Sequence, residues 1–117
     1  MPYLLLIVEP RGQREERGVE GGKEAFAQMG AFAAGLQARG VLRAVESLTS
    51  DARGARIQVR DGKQQLRDGP FTEAKEMVGG FFLLDCATRA EALAIAAQCP
   101  AAAWATVEVR ETGPCFE

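Results

Sequence analysis

The sequence predicts an α+β fold of the ferredoxin-like kind, a split βαβ sheet with an inserted β-hairpin. Three observations carry this expectation. Residues 3–9 and 80–86 are apolar at almost every position, as strands covered on both sides are. Residues 24–39 and 88–99 have helical patterning, and each follows one of those strands. Residues 41–48 and 104–110 mix charged with apolar positions, which suits outer strands. Strand–helix–strand therefore occurs twice, with the two most apolar strands in the centre of one sheet.

Taken in order, residues 3–9 form the first central strand. Residues 10–22 hold Arg11, Arg14, Glu15, Glu16 and Arg17 among four glycines, and read as a mobile loop able to act as a lid. The first helix spans 24–39, with Phe26, Met29, Phe32, Ala33 and Leu36 on one stripe and Gly40 as its stop. Gly30 and Gly35 inside it lower helix propensity and are expected to mark close packing on the sheet. Arg43 and Glu46 place the strand over 41–48 at an edge.

Residues 55–60 alternate, with Ala55, Ile57 and Val59 on one face and Arg56, Gln58 and Arg60 on the other. Asp61-Gly62 is a two-residue hairpin turn, so 63–67 returns antiparallel and delivers the chain to Asp68. Thr88-Arg89-Ala90-Glu91 is a capping box that opens the second helix, and Pro100 closes it. Along the last strand Ala105, Val107 and Val109 share one face, with Trp104, Thr106, Glu108 and Arg110 on the other. The tail from 111 to 117 reads as loose.

Two helices cover one face of this sheet, yet the central strands are apolar on both. Another copy packed face to face would cover the second face, giving a homodimer. The alternative cover is the hairpin together with the 10–22 segment.

Composition bounds the function. A length of 117 residues fits one domain, 1–117. The net charge of −2, with signs interspersed, offers no basic patch for direct nucleic-acid contact. The opening run has no basic segment before it and only six uninterrupted apolar residues, too few for a signal core or a membrane span. A cytoplasmic protein with no membrane association is the expectation. The chain has no histidine and no CxxC, so no metal site or cofactor is expected and histidine-dependent mechanisms fall away. Cys86 and Cys99 suit buried positions, and Cys115 an exposed one.

The chemistry concentrates in Asp68-Gly69-Pro70-Phe71-Thr72-Glu73-Ala74-Lys75-Glu76, running on to Gly79-Gly80-Phe81-Phe82. Gly69 and Pro70 make a stiff turn, and Phe71 is placed to anchor it in the core. Asp68 is then either the cap of that turn, accepting from backbone N–H groups, or a general acid/base held beside apolar atoms. The candidate ligand-binding residues are Lys75, Glu108, Arg110 and Phe71. Lys75 or Arg110 would anchor an anion, and Glu108 is a second carboxylate. Glu73, Lys75 and Glu76 also read as surface charges ordering the loop, and Glu108 with Arg110 as an ion pair on an edge strand. Trp104 suits either a pocket cover or interface packing.

This motif resembles that of the DGPF branch of the YCII-related proteins. Ala92-Leu93 through Cys99-Pro100 and Val107-Glu108-Val109-Arg110 also match the family's run, so the resemblance covers nearly the whole chain. It implies a dimeric α+β barrel. For function it implies a cofactor-free acid/base enzyme of lyase or isomerase type on a small organic acid or aromatic, with Asp68 as the acid/base. Some YCII-like proteins pair that Asp with a His. Here Val8 stands near the place of the His on the first strand, and the pair is broken. A cofactor-free monooxygenase on the same barrel lacks its His in the same way. The alternative the resemblance implies is a non-catalytic small-ligand-binding or regulatory accessory protein linked to extracytoplasmic-function sigma factors.

Overall fold

In the computed structural model, which describes residues 2–116, the chain opens with β1 (Tyr3–Pro10) and α1 (Gln13–Ala38). It continues through β2 (Leu42–Ser47), a 3₁₀ turn (Asp51–Arg53), β3 (Ala55–Arg60), β4 (Lys63–Asp68) and β5 (Glu76–Leu84). It ends with α2 (Arg89–Gln98), a second 3₁₀ turn (Pro100–Ala103) and β6 (Thr106–Glu111). The main sheet has the order β2-β5-β1-β6, antiparallel throughout, and β3 and β4 form a separate hairpin. This is an α+β fold with the split βαβ order expected of the ferredoxin-like plan, and β1 and β5 are its central strands.

The helix-side face of the sheet builds the core. Tyr3, Leu5 and Ile7 of β1 and Phe82 and Leu84 of β5 are buried there, with Leu36 of α1 and Ala92 and Ile95 of α2. Phe32 meets Phe82 edge to face at 5.5 Å, the arrangement that ring quadrupoles favour. Thr88 caps α2 by accepting from the Glu91 N–H. The Glu91 carboxylate accepts in turn from the N–H of Ala87, one residue earlier than the standard capping box. Cys86 and Cys99 are buried and Cys115 is exposed. Burial pushes the Cys86 and Cys99 thiols up, away from the reactive thiolate.

Three expectations need correction. Residues 10–22 are not a loop, because α1 begins at Gln13 and merges two helical runs across a break at Gly18, φ 77° and ψ 175°. Glycines and charges lower the intrinsic propensity of this segment, but contacts from Gln13, Arg14 and Arg17 to distant parts of the chain hold it helical. Gly30 and Gly35 mark no close approach, since a side chain at either would meet open space. Finally, β5 begins at Glu76 rather than at residue 80, because Glu76, Met77 and Val78 pair with Pro10, Glu9 and Val8.

The other face of the sheet carries Leu4, Leu6, Val8, Phe81 and Leu83, all half-buried within the single chain. Register places Glu108 beside Leu6 and Arg110 beside Leu4 on that face. Neither proposed internal cover lies on it. The 13–38 segment is a helix packed with the core, and all twelve strand residues of the hairpin are exposed. Among the described residues no helix is long and apolar enough to cross a membrane.

Candidate functional site

The Asp68 motif is fastened from outside itself. The Gly69 N–H donates to the Gly54 carbonyl at 2.9 Å, and a Cβ on Gly69 would run into the Asp51 carbonyl oxygen. Glycine is therefore required here by close backbone approach. The Phe71 N–H donates to Asp51 Oδ2 at 3.4 Å. Arg11 grips the same Asp51 carboxylate through both terminal nitrogens, one of them at 3.1 Å from Oδ1. Its Nε donates to the Ala74 carbonyl at 2.7 Å. The guanidinium beside Asp51 holds that carboxyl below its ordinary range.

Phe71 is buried, with Arg56 at 3.9 Å and Arg67 at 5.2 Å from the ring centroid. Those arginines also pair with Glu73, at 3.4 Å and 2.6 Å. The Arg67 hydrogen bond is the main cause that lowers the Glu73 carboxyl to about 2. The motif loop is thus a cation-clad anchor joining β1, the first 3₁₀ turn and the hairpin.

The sequence-derived candidates do not converge. Asp68 is exposed at the end of β4 opposite Ala55, and it lines neither of the two cavities beside the sheet. Lys75 is exposed, and its carbonyl accepts from the Arg11 N–H at 2.9 Å. Glu108 and Arg110 pair with each other at 3.3 Å on the outer strand β6. Phe71 lines the smaller cavity, of about 520 Å³, beside Asp51 and Met77.

The larger cavity, about 950 Å³, lies between α1 and the helix-side face of the sheet. Its apolar wall includes Ile7, Met29, Ala33, Val45 and Phe82, and it opens past Val19 and Phe26, which are 73% and 67% exposed. Glu9 sits at its polar end and is 3% exposed, the one buried charged residue of the described chain. Arg14 donates from Nε to Glu9 Oε1 at 2.8 Å, and its Nη2 lies 2.5 Å from the same oxygen. Neither contact occupies Oε2. Arg14 Nη2 also donates to the Leu48 carbonyl at 2.9 Å, tying the pair to the end of β2.

Gly79 makes this arrangement possible. The β1–β5 register slips between Ile7 and Val8, leaving Gly79 as an unpaired bulge residue. A Cβ there would strike the Glu9 carboxylate and come within 3.0 Å of Arg14 Nη2. Bulges recur where a strand must re-aim a side chain beside a site. Beside the pair, Arg17 lies 4.4 Å over the Trp104 ring and donates to Gln13 Oε1 at 2.9 Å. Gln13 in turn donates to the Trp104 carbonyl at 2.5 Å. The break at Gly18, itself part of the wall, follows directly on this cluster.

Sequence reasoning singled out neither Glu9 nor Arg14. The available signal was an acid closing the run Tyr3 to Val8, with a glycine pair in the other central strand. Among the described residues no cluster of Cys, Asp and Glu is arranged to hold a metal. The geometry instead offers one buried, oriented carboxylate facing an apolar space, with two arginines and an indole at its side.

Residues 1–114 match the YCII-related domain. The chain belongs to that family. An uncharacterized protein of Rhizobium meliloti (strain 1021) is 41% identical to this YCII-related chain over 54 residues. The aligned stretch is 46% of this chain and 44% of the relative, so the likeness to that protein spans less than half of either.

Proposed function

We propose that this chain is a DGPF-branch YCII-like protein that binds a small organic acid or aromatic in the α1–sheet cavity. It moves a proton on that ligand without a cofactor, with Glu9 as the acid/base. Glu9 carries the reading: the residue is 3% exposed, Arg14 holds Oε1, and an apolar cavity adjoins it. A carboxylate fixed in place beforehand needs little reorganisation when a proton moves. Trp104 supplies a flat surface for a ring, and Arg17, paired with no carboxylate among the described residues, supplies a cation for an anionic group. Asp68, the acid of the motif, lines neither of the two cavities described above.

The assembly in this reading is a homodimer with Leu4, Leu6, Val8, Phe81 and Leu83 packed against the same face of a second copy. An uncovered row of central-strand side chains supports it.

Trp104 is the single tryptophan and lines the cavity, so its fluorescence reports occupancy directly. Titration with benzoate, salicylate and phenylacetate should change that emission. Arg17→Ala should weaken the response. For a ligand with an exchangeable carbon-bound proton, exchange in D₂O should occur with the native chain and stop in Glu9→Gln, with the fluorescence response retained. No response to any aromatic acid would remove the cavity as the site. Binding without exchange would assign the cavity to sensing, the accessory role beside an extracytoplasmic-function sigma factor that the DGPF resemblance also supports.

A further inference from the structure

Arg17, on the wall of the large cavity, is seated from three sides. Its guanidinium lies 4.4 Å over the Trp104 ring, and its Nη2 donates to Gln13 Oε1 at 2.9 Å. Gln13 ties that head to the indole residue, because its own Nε2 donates to the Trp104 carbonyl at 2.5 Å. The third side is Gly21. In an unbroken helix Cβ atoms four residues apart are about 5–6 Å from each other. Beyond the break at Gly18, a Cβ on Gly21 would stand 3.6 Å from that of Arg17 and overlap its Cγ. Gly21 is not among the positive-φ glycines, so what it supplies is room for the arginine stem.

The amide at position 13 does what a carboxylate there could not. It accepts from Arg17 and donates to the Trp104 carbonyl at once, while remaining neutral. A glutamate four residues before an arginine would accept as well, but it would be the counter-ion of that arginine and have nothing to donate. Glu15, Glu16 and Glu20 lie close by in sequence, yet no carboxylate pairs with Arg17 among the described residues. Arg14, the other arginine of the wall, is committed to Glu9 and to the Leu48 carbonyl. Arg17 therefore keeps its charge at the polar end of the cavity, where Glu9 and Glu15 would otherwise oppose an entering anion.

We propose that Gln13 and Gly21 are positioning residues, which hold an uncompensated Arg17 guanidinium over the indole and so make the cavity select aromatic carboxylates over their neutral amides. A guanidinium fork matches a carboxylate, and a hydrogen bond between two charged groups is about twice as strong as one between neutral groups. The selection depends on Arg17 keeping both its place and its charge. Gly21 and the Trp104 ring set the place, and the neutral amide of Gln13 secures the place without cancelling the charge. The inference rests on the reading of this cavity as the site for a small aromatic acid and names what decides its preference.

The test compares benzoate with benzamide, alike in size and different in charge, by the midpoint of the Trp104 emission change in the full chain. The native chain should bind benzoate about tenfold more tightly. Gln13→Glu places an acid in the first turn of a helix, and Gly21→Ala raises helix propensity, so both variants should fold, which circular dichroism checks. Each should lose most of the benzoate preference, with the benzamide midpoint unmoved. A merely structural role would weaken both ligands together, and that result would overturn the proposal. If Arg17→Ala removes the preference while Gln13→Glu and Gly21→Ala keep it, the cavity reading stands and the positioning roles fall. A native chain that binds the two ligands equally would overturn the selection, and one that binds neither would overturn the cavity reading with it.

Discussion

Gly79 and Glu9 define the site at the scale of single residues, because the missing side chain of one leaves room for the carboxylate of the other. Gly79→Ala should displace the Glu9–Arg14 pair and cost about 1–3 kcal/mol, as overpacking of a filled site does. Denaturant unfolding would measure the loss, and the Trp104 emission should shift with it. The Asp68 motif supplies a second expectation. The Glu73 carboxyl is held at about 2, down from 4.5, by its bond to Arg67, and Asp51 is lowered in the same direction by Arg11. For depressed carboxyls the stabilisation is present above the unfolded value and disappears as pH falls through the folded one. The motif loop should therefore loosen between about pH 4.5 and 2, visible as faster amide exchange over residues 69–75. Arg67→Gln should move the Glu73 titration back toward 4.5. The sequence drew attention to Asp68 because Gly69-Pro70-Phe71 looked built to hold it. What these residues hold is the loop, through Asp51 and Arg11, and partners so far apart in the chain leave no local pattern.

Elements were legible where one physical signal dominated. The first central strand, the Asp61-Gly62 turn and the Thr88 cap each depend on residues adjacent in sequence, and each lies where expected, whereas the second central strand starts four residues before its apolar run. The front of α1 was not legible, because its helicity comes from long-range ties by Gln13, Arg14 and Arg17 rather than from propensity. The break at Gly18 uses a backbone region open almost only to glycine. Gly18→Ala should cost roughly 1–3 kcal/mol, or else straighten the helix and pull Val19 from the cavity mouth. Thermal unfolding, together with the Trp104 response to benzoate, separates those outcomes. Glu9 stayed hidden for a related reason. An acid at the end of an apolar strand reads as its exposed terminus until a bulge and an arginine on the next helix turn it inward.

For the whole molecule the two faces of one sheet have different duties, and adjacent leucines separate them. Leu5 is fully buried against the helices, so Leu5→Glu forces a charge into the core and should remove most of the roughly 5–15 kcal/mol that holds a domain together. Leu6 lies on the open face. Leu6→Glu should leave the fold intact with a loss under about 1 kcal/mol, and should split the proposed homodimer into 12.6 kDa particles in sedimentation. Circular dichroism of both variants would check the contrast, and a folded Leu5→Glu chain would reverse the assignment of faces. The wall that α1 contributes around Val19 and Phe26 has a longer-term consequence. Those side chains are exposed and are not among the buried residues of the core, so they can change at little cost in stability. Selection could then alter which molecules the chain accepts while the scaffold persists, and descendants sharing this architecture would diverge in ligand preference sooner than in shape.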